Sequence, residues 1–263
     1  VFNMIFKFDL KRSLKTSVIF TAIMFIILVL GLIAYKCAFY KQDNFLSFIN
    51  NLPSFVIKGL GIKTDGNYSF YDFYAILVNF ILIIAALFAS FIGFFCILKD
   101  KKDDADAFYF KKPINKVSII KQKILACIVL LLASTLIYHI VAFIFIIIIK
   151  EKYNFKIMFY IDSSIFLLEL VFLLFGTLIG LSINKKRSFI APSIITIFIF
   201  EFINILSQAF NITFLKYINP FSYFNVLDIV KTQKYQYRFI VITTFLVLFL
   251  SNFIIGVYNS EEE

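Results

Sequence analysis

"ILACIVLLLASTLIYHIVAFIFIIII", residues 124–149, contains no Asp, Glu, Lys or Arg, and His139 is its one basic side chain. About 20 apolar residues in a helix cross the roughly 30 Å of hydrocarbon in a bilayer. This run therefore predicts a membrane-spanning helix, and it decides how the rest of the chain is read. Five further stretches qualify on the same ground: 17–37, 73–98, 163–183, 189–210 and 239–258. Composition agrees. The chain is 61% hydrophobic and 16% charged, with a mean hydropathy of +0.92, whereas a soluble domain carries about 25% charged residues. The expected fold is all-α: a polytopic membrane protein with six transmembrane helices in one domain over 1–263. No repeat or low-complexity linker divides it. The first run follows a basic segment, as in a secretory leader. Its apolar core is too long and no small-residue cleavage site follows, so a retained helix is expected.

Cys37, Cys96 and Cys127 show no C-x-x-C spacing, and the last two fall inside apolar runs, where a thiol is a small hydrophobe. The net charge of +10 fits a chain whose Lys and Arg face one side of a membrane and its anionic headgroups, rather than a nucleic-acid partner. Segments 1–16, 99–123, 184–188 and 259–263 hold 15 basic residues in 51 positions; segments 38–72, 150–162 and 211–238 hold 10 in 76. The richer set is expected on the cytoplasmic side, with both termini, in a multi-pass protein of the cytoplasmic membrane. The wealth of Phe, Ile, Lys and Asn, with no Trp, fits an AT-rich bacterial source.

Three segments outside the spans carry patterns of their own. Within 2–15, Phe2, Ile5, Phe6 and Leu10 share one helical face and Lys7, Lys11 and Lys15 another, which predicts a helix lying flat in the inner interface. Residues 43–59 place Phe45, Phe48, Ile49, Leu52, Phe55 and Val56 at helical spacing, broken by Pro53 and ended by Gly59, so two short outer helices are expected. Residues 213–232 gather Phe214, Tyr217, Phe221, Tyr223 and Phe224 around Pro220, a density suited to the outer interface or a re-entrant element.

Catalytic motifs are scarce. "GLGIKT" (59–64) lacks the G-K-[ST] of a phosphate loop, because Ile62 intervenes and the first Gly is misplaced. The chain is thus not expected to hydrolyse ATP or to act as an enzyme by itself. One histidine cannot supply the two ligands of an H-E-x-x-H zinc site, so no metal is expected. Ser134 and His139 lie five apart on one helix and face differently, a poor nucleophile–base pair.

Ionisable groups inside a span cost about 2.5–3.5 kcal/mol on insertion scales and face protein or water. Three are expected here: His139, Glu169 and Glu201. Glu169 with His139 suggests an interhelical hydrogen bond that packs the bundle. Glu201, Asn204 and Gln208 recur at i, i+3 and i+7, which sets them within about 60° on one helix face. That stripe suits a translocation pathway, or a seam between two chains.

The loop at 99–123 is charged yet carries Phe108, Tyr109 and Phe110, as docking surfaces do. Its run "KDKKDDADAFYFKKPINKVSIIKQKILA" (99–126) resembles the signature of type-2 permeases of ATP-binding-cassette transporters. Asp100 takes the acidic place after span two, Tyr109–Phe110 the paired apolar place, Lys112–Pro113–Ile114 the proline core and Lys123 the closing lysine. Asn115–Lys116 stands where that family has Ser-Arg, and Ala107 where Glu is common. "NNLPSFVIKGLGI" (50–62) is similar to the family's segment after span one, and "YINPFSYFNVLDIV" (217–230) to its Pro-Phe-x-x-Phe stretch before span six.

The resemblance implies a permease subunit of an ATP-driven exporter for an amphipathic or hydrophobic substrate, such as an antimicrobial peptide or a lipid-like molecule. Asp100, Phe108, Tyr109, Phe110, Lys112 and Pro113 would then couple to a separate ATPase subunit. That partner would hold the ATP and Mg; this chain would bind no cofactor. A second permease chain, identical or homologous, would complete the pathway. The competing expectations are a self-contained proton-coupled carrier using Glu169 and Glu201, and a non-transporting intramembrane enzyme, sensor or immunity protein.

Overall fold

The structure, a computed structural model, describes residues 2–39, 69–102, 115–152, 154–183 and 190–260. The described residues form these helices: α1 (Phe2–Phe39), α2 (Phe70–Lys102), α3 (Lys116–Ile149), α4 (Phe155–Ser182), α5 (Ala191–Ala209), α6 (Thr213–Ile218), α7 (Pro220–Tyr223), α8 (Val226–Thr232) and α9 (Tyr237–Ser260). Six of them, α1 to α5 and α9, are long and apolar enough to cross a membrane. The chain is an all-α, multi-pass membrane protein. The expected outer helices at 43–59 and the residues Phe108 to Pro113 lie outside the described residues.

Polar residues at the helix ends explain where the helices start. Ser69 and Asp72 cap α2 reciprocally: Ser69 Oγ accepts from the Asp72 N–H at 3.2 Å, and the Asp72 carboxylate accepts from the Ser69 N–H at 3.1 Å. Asn115, Asn154, Asn219 and Asn225 each accept from the first-turn N–H groups of α3, α4, α7 and α8. Their short amide oxygens satisfy donors that no carbonyl can reach. Lys150 and Gln233, at φ 66° and 54°, turn the chain out of α3 and α8.

Two helices form the middle of the bundle. In α2 and α4, 72% and 67% of the most apolar stretch is buried; in α1, α3, α5 and α9 the share is 17–28%. The outer helices present Phe25, Leu30, Leu136, Ile140, Phe198, Phe249 and similar side chains outward, as a lipid-facing surface requires. The α2–α4 contact is close because it is built from small residues. A Cβ on Gly93 would stand 2.3 Å from the Leu173 carbonyl oxygen, and one on Gly176 would stand 2.0 Å from that of Ser90. Only hydrogen fits at either place, and the backbones touch.

Two expectations are corrected. Residues 2–15 do not form a separate helix flat on the interface; they continue without a break into span one as the 38-residue α1. No Pro or Gly separates them from the span, and Asp9 and Ser13 are buried against the bundle instead of facing headgroups. Span four begins earlier than its apolar run, at Phe155 rather than 163, because Asn154 caps the helix there. Asp162, expected in an outer loop, consequently lies inside the bundle and is buried.

Residues 213–232 become α6, α7 and α8, with Pro220 opening α7. Phe221 packs on Phe172 of α4 at 5.0 Å between ring centroids, and Tyr223 stacks on Phe239 of α9 at 5.4 Å. The segment is folded back into the bundle while Phe214 stays exposed. Burial pushes the Tyr223 phenol up to about 12, so it stays a neutral donor, bonded to the Tyr217 carbonyl at 2.6 Å.

Candidate functional site

Three polar groups interrupt the apolar bundle. The first sits where α2 ends and α3 begins. Arg12 of α1 reaches Asp9 at 2.8 Å and Asp100 at 2.6 Å, and it also donates to the Cys96 carbonyl at 3.2 Å. Lys123 of α3 reaches Asp9 at 3.1 Å and also bonds Asp100. Asp9, Asp100 and Lys123 are each 1% exposed. Two carboxylates and two cations balance, and the Arg12 guanidinium is flanked by the rings of Phe8 and Phe95. Buried charge of this kind persists only when paired and hydrogen-bonded. Asp100, expected on a loop surface open to a partner, is buried in α2 as part of this knot. Asp9 and Arg12 are absent from the expected site residues. Their signal was present, because an acid and a base at i and i+3 interrupt the apolar face of the first helix beside Ile5.

The second group lies on the α3–α4 seam, in the half of the bundle away from that knot. His139 Nδ1 pairs with Asp162 Oδ2, and Tyr74 of α2 donates to Asp162 Oδ1 at 3.1 Å. Tyr138 and Tyr74 share a hydroxyl contact of 3.0 Å. Below them Thr135 meets Glu169 at 3.0 Å. The expected Glu169–His139 pairing is therefore not formed. The antiparallel register explains it: Thr135 and His139 are one turn apart on α3, and Asp162 and Glu169 are two turns apart on α4, in reverse order. Each residue meets the partner at its own level. Glu169 is fully buried, and its Oε1 has no hydrogen-bond partner among the described residues.

The third group is the α5 stripe, which the structure brings together as its spacing predicts. Asn204 reaches the Glu201 carboxylate at 3.5 Å and Gln208 donates to Asn204 Oδ1 at 3.2 Å. Ser222 of α7 also donates to Asn204 Oδ1 at 3.2 Å. With Asn79 and Asn225 the stripe lines a narrow notch of about 40 Å³. The notch adjoins a cavity of about 230 Å³ bordered by Lys216, Asp228, Gln236 and Arg238. A polar track thus runs from Glu201 to the α6–α8 end of the molecule.

The cysteines are free: Cys96 and Cys127 are buried, and Cys37 is exposed. Among the described residues no three His, Cys, Asp or Glu side chains converge as a metal site would need. No protein-family model matches the chain, and no curated protein is similar to it.

Proposed function

We propose that this chain is the membrane subunit of an ATP-driven exporter for an amphipathic or hydrophobic substrate, working with a separate ATPase subunit and a second permease chain. The observation that carries this reading is the charge knot that flanks the 103–114 segment. Asp100 and Lys123 stand in the helices before and after that segment, and both are fastened to α1 through Asp9 and Arg12. A push on the α2 and α3 ends so fastened moves three helices together rather than bending one. The Glu201, Asn204 and Gln208 stripe supplies a polar track suited to the pathway. The resemblance at 99–126 and 217–230 supports the same reading, with the charge-rich side cytoplasmic.

The test is purification from the native membrane in mild detergent, with ATP hydrolysis measured on the complex. A nucleotide-binding subunit at fixed stoichiometry is expected. Phe108→Ala with Phe110→Ala should insert normally yet lose that subunit, since interface aromatics of this kind carry about 2 kcal/mol or more each. Glu201→Gln should keep assembly and lose substrate-stimulated hydrolysis. Normal binding and transport by the double variant would remove the docking role.

A proton-coupled carrier is the second reading, favoured by the Oε1 of buried Glu169, which has no hydrogen-bond partner among the described residues. Transport by the chain reconstituted alone, driven by a proton gradient without ATP, would establish that reading and end the first.

A further inference from the structure

Where α5 ends and α9 begins, at the end of the polar track away from Glu201, lies the cavity of about 230 Å³. Three charged side chains from three helices border it: Lys216 of α6, Asp228 of α8 and Arg238 of α9. The rest of its wall is neutral, with amides from Gln208, Asn225 and Gln236, hydroxyls from Thr213, Tyr217 and Ser222, and the ring of Phe239.

The three charges share this space without pairing. Among the described residues the Lys216 ammonium makes no hydrogen bond or ion pair, and Asp228 meets no Lys or Arg. The Arg238 guanidinium reaches only the Tyr217 hydroxyl, at 3.4 Å. The Asp228 side chain accepts only from the Gln236 amide, also at 3.4 Å. A simple anion suits Lys216 and Arg238 but is repelled by Asp228; a simple amine suits Asp228 but is repelled by the other two. A ligand that satisfies all three carries a phosphate and a primary ammonium side by side. The surroundings add acyl chains to it. Phe214 and Tyr237 each directly follow a residue of the wall, and they are 71% and 80% exposed. Exposed aromatic rings beside the ends of spans sit among lipid headgroups and the chains below them.

We infer that this cavity binds the headgroup of a phosphatidylethanolamine-type lipid. Its phosphate lies between Lys216 and Arg238, its primary ammonium donates to the Asp228 carboxylate, and its acyl chains leave past Phe214 and Tyr237. The guanidinium fork suits two phosphate oxygens. A phosphatidylglycerol headgroup leaves Asp228 without a cation, and choline brings a cation with no N–H to donate. The site rests on the cavity and does not depend on the exporter reading.

The experiment uses the full chain in mild detergent, titrated with phosphatidylethanolamine, phosphatidylglycerol and phosphatidylcholine of identical acyl chains. Native mass spectrometry counts the lipid-bound species. Phosphatidylethanolamine should bind about tenfold more tightly than either other lipid, the lower end of what a hydrogen bond between charged groups supplies. Asp228→Asn should bring it to the phosphatidylcholine level and leave phosphatidylglycerol binding no weaker. Lys216→Gln with Arg238→Gln should weaken all three, because each carries the phosphate. Soluble O-phosphoethanolamine has the same charges without the chains and should displace little of the lipid. Equal binding of the three lipids by the unaltered chain would overturn the site. So would a preference that survives Asp228→Asn, or full displacement by O-phosphoethanolamine, which would assign the cavity to a soluble ligand.

Discussion

The two ends of α3 handle buried charge differently. Near its start, Lys123 joins Asp9, Arg12 and Asp100 in a set whose charges cancel and whose members are almost wholly out of solvent. Towards its far end, His139 and two tyrosines attend Asp162, and the imidazole keeps one nitrogen open. Balanced full charges fix geometry, because separating any pair exposes an uncompensated ion. Dipoles and one titratable ring leave room for a further partner. The first group is suited to holding helices together; the second leaves one ring nitrogen without a partner among the described residues.

The largest effect should come from breaking the balanced set. Lys123→Ala leaves Asp9 and Asp100 sharing only Arg12, and should cost about 3–5 kcal/mol. Thermal unfolding of the purified chain measures this; a loss below about 1 kcal/mol would erase the distinction between the two ends. Asp162→Asn comes next. Its amide oxygen still accepts from Tyr74 but holds His139 more weakly, so about 1–3 kcal/mol is expected. Stability loss as large as in Lys123→Ala would make the second group a structural knot as well. The smallest effect belongs to Glu169→Gln. An amide keeps the shape and the Thr135 contact, so stability should change by less than about 1 kcal/mol.

Much of this architecture was legible in the sequence, and the misses have physical causes. The six apolar runs gave the number of spans because lipid tolerates no uncompensated backbone or charge over that length. The α5 stripe was legible because i, i+3 and i+7 positions of one helix meet without reference to any other element. Asp162 was missed because an apolar-run rule stops at the first charge, while the helix is set by the Asn154 cap eight residues upstream. The Glu169–His139 pairing failed for a related reason, since partners on different helices depend on register, which no single-helix periodicity contains. The glycines at 176 and 180, spaced G-x-x-x-G, marked the close face of α4 in the sequence and went unread.

The glycine seam between α2 and α4 has a mechanical consequence. Helices whose backbones touch over Gly93 and Gly176 cannot slide a residue past one another without a side chain striking a carbonyl. They behave as one keel. Any alternation between two shapes of this protein therefore has to be carried by the planks around it. In such an alternation α1 and α3, tied by the Asp9–Lys123 ion pair, would have to move together. Replacing Gly176 would not tune that motion; it would split the keel.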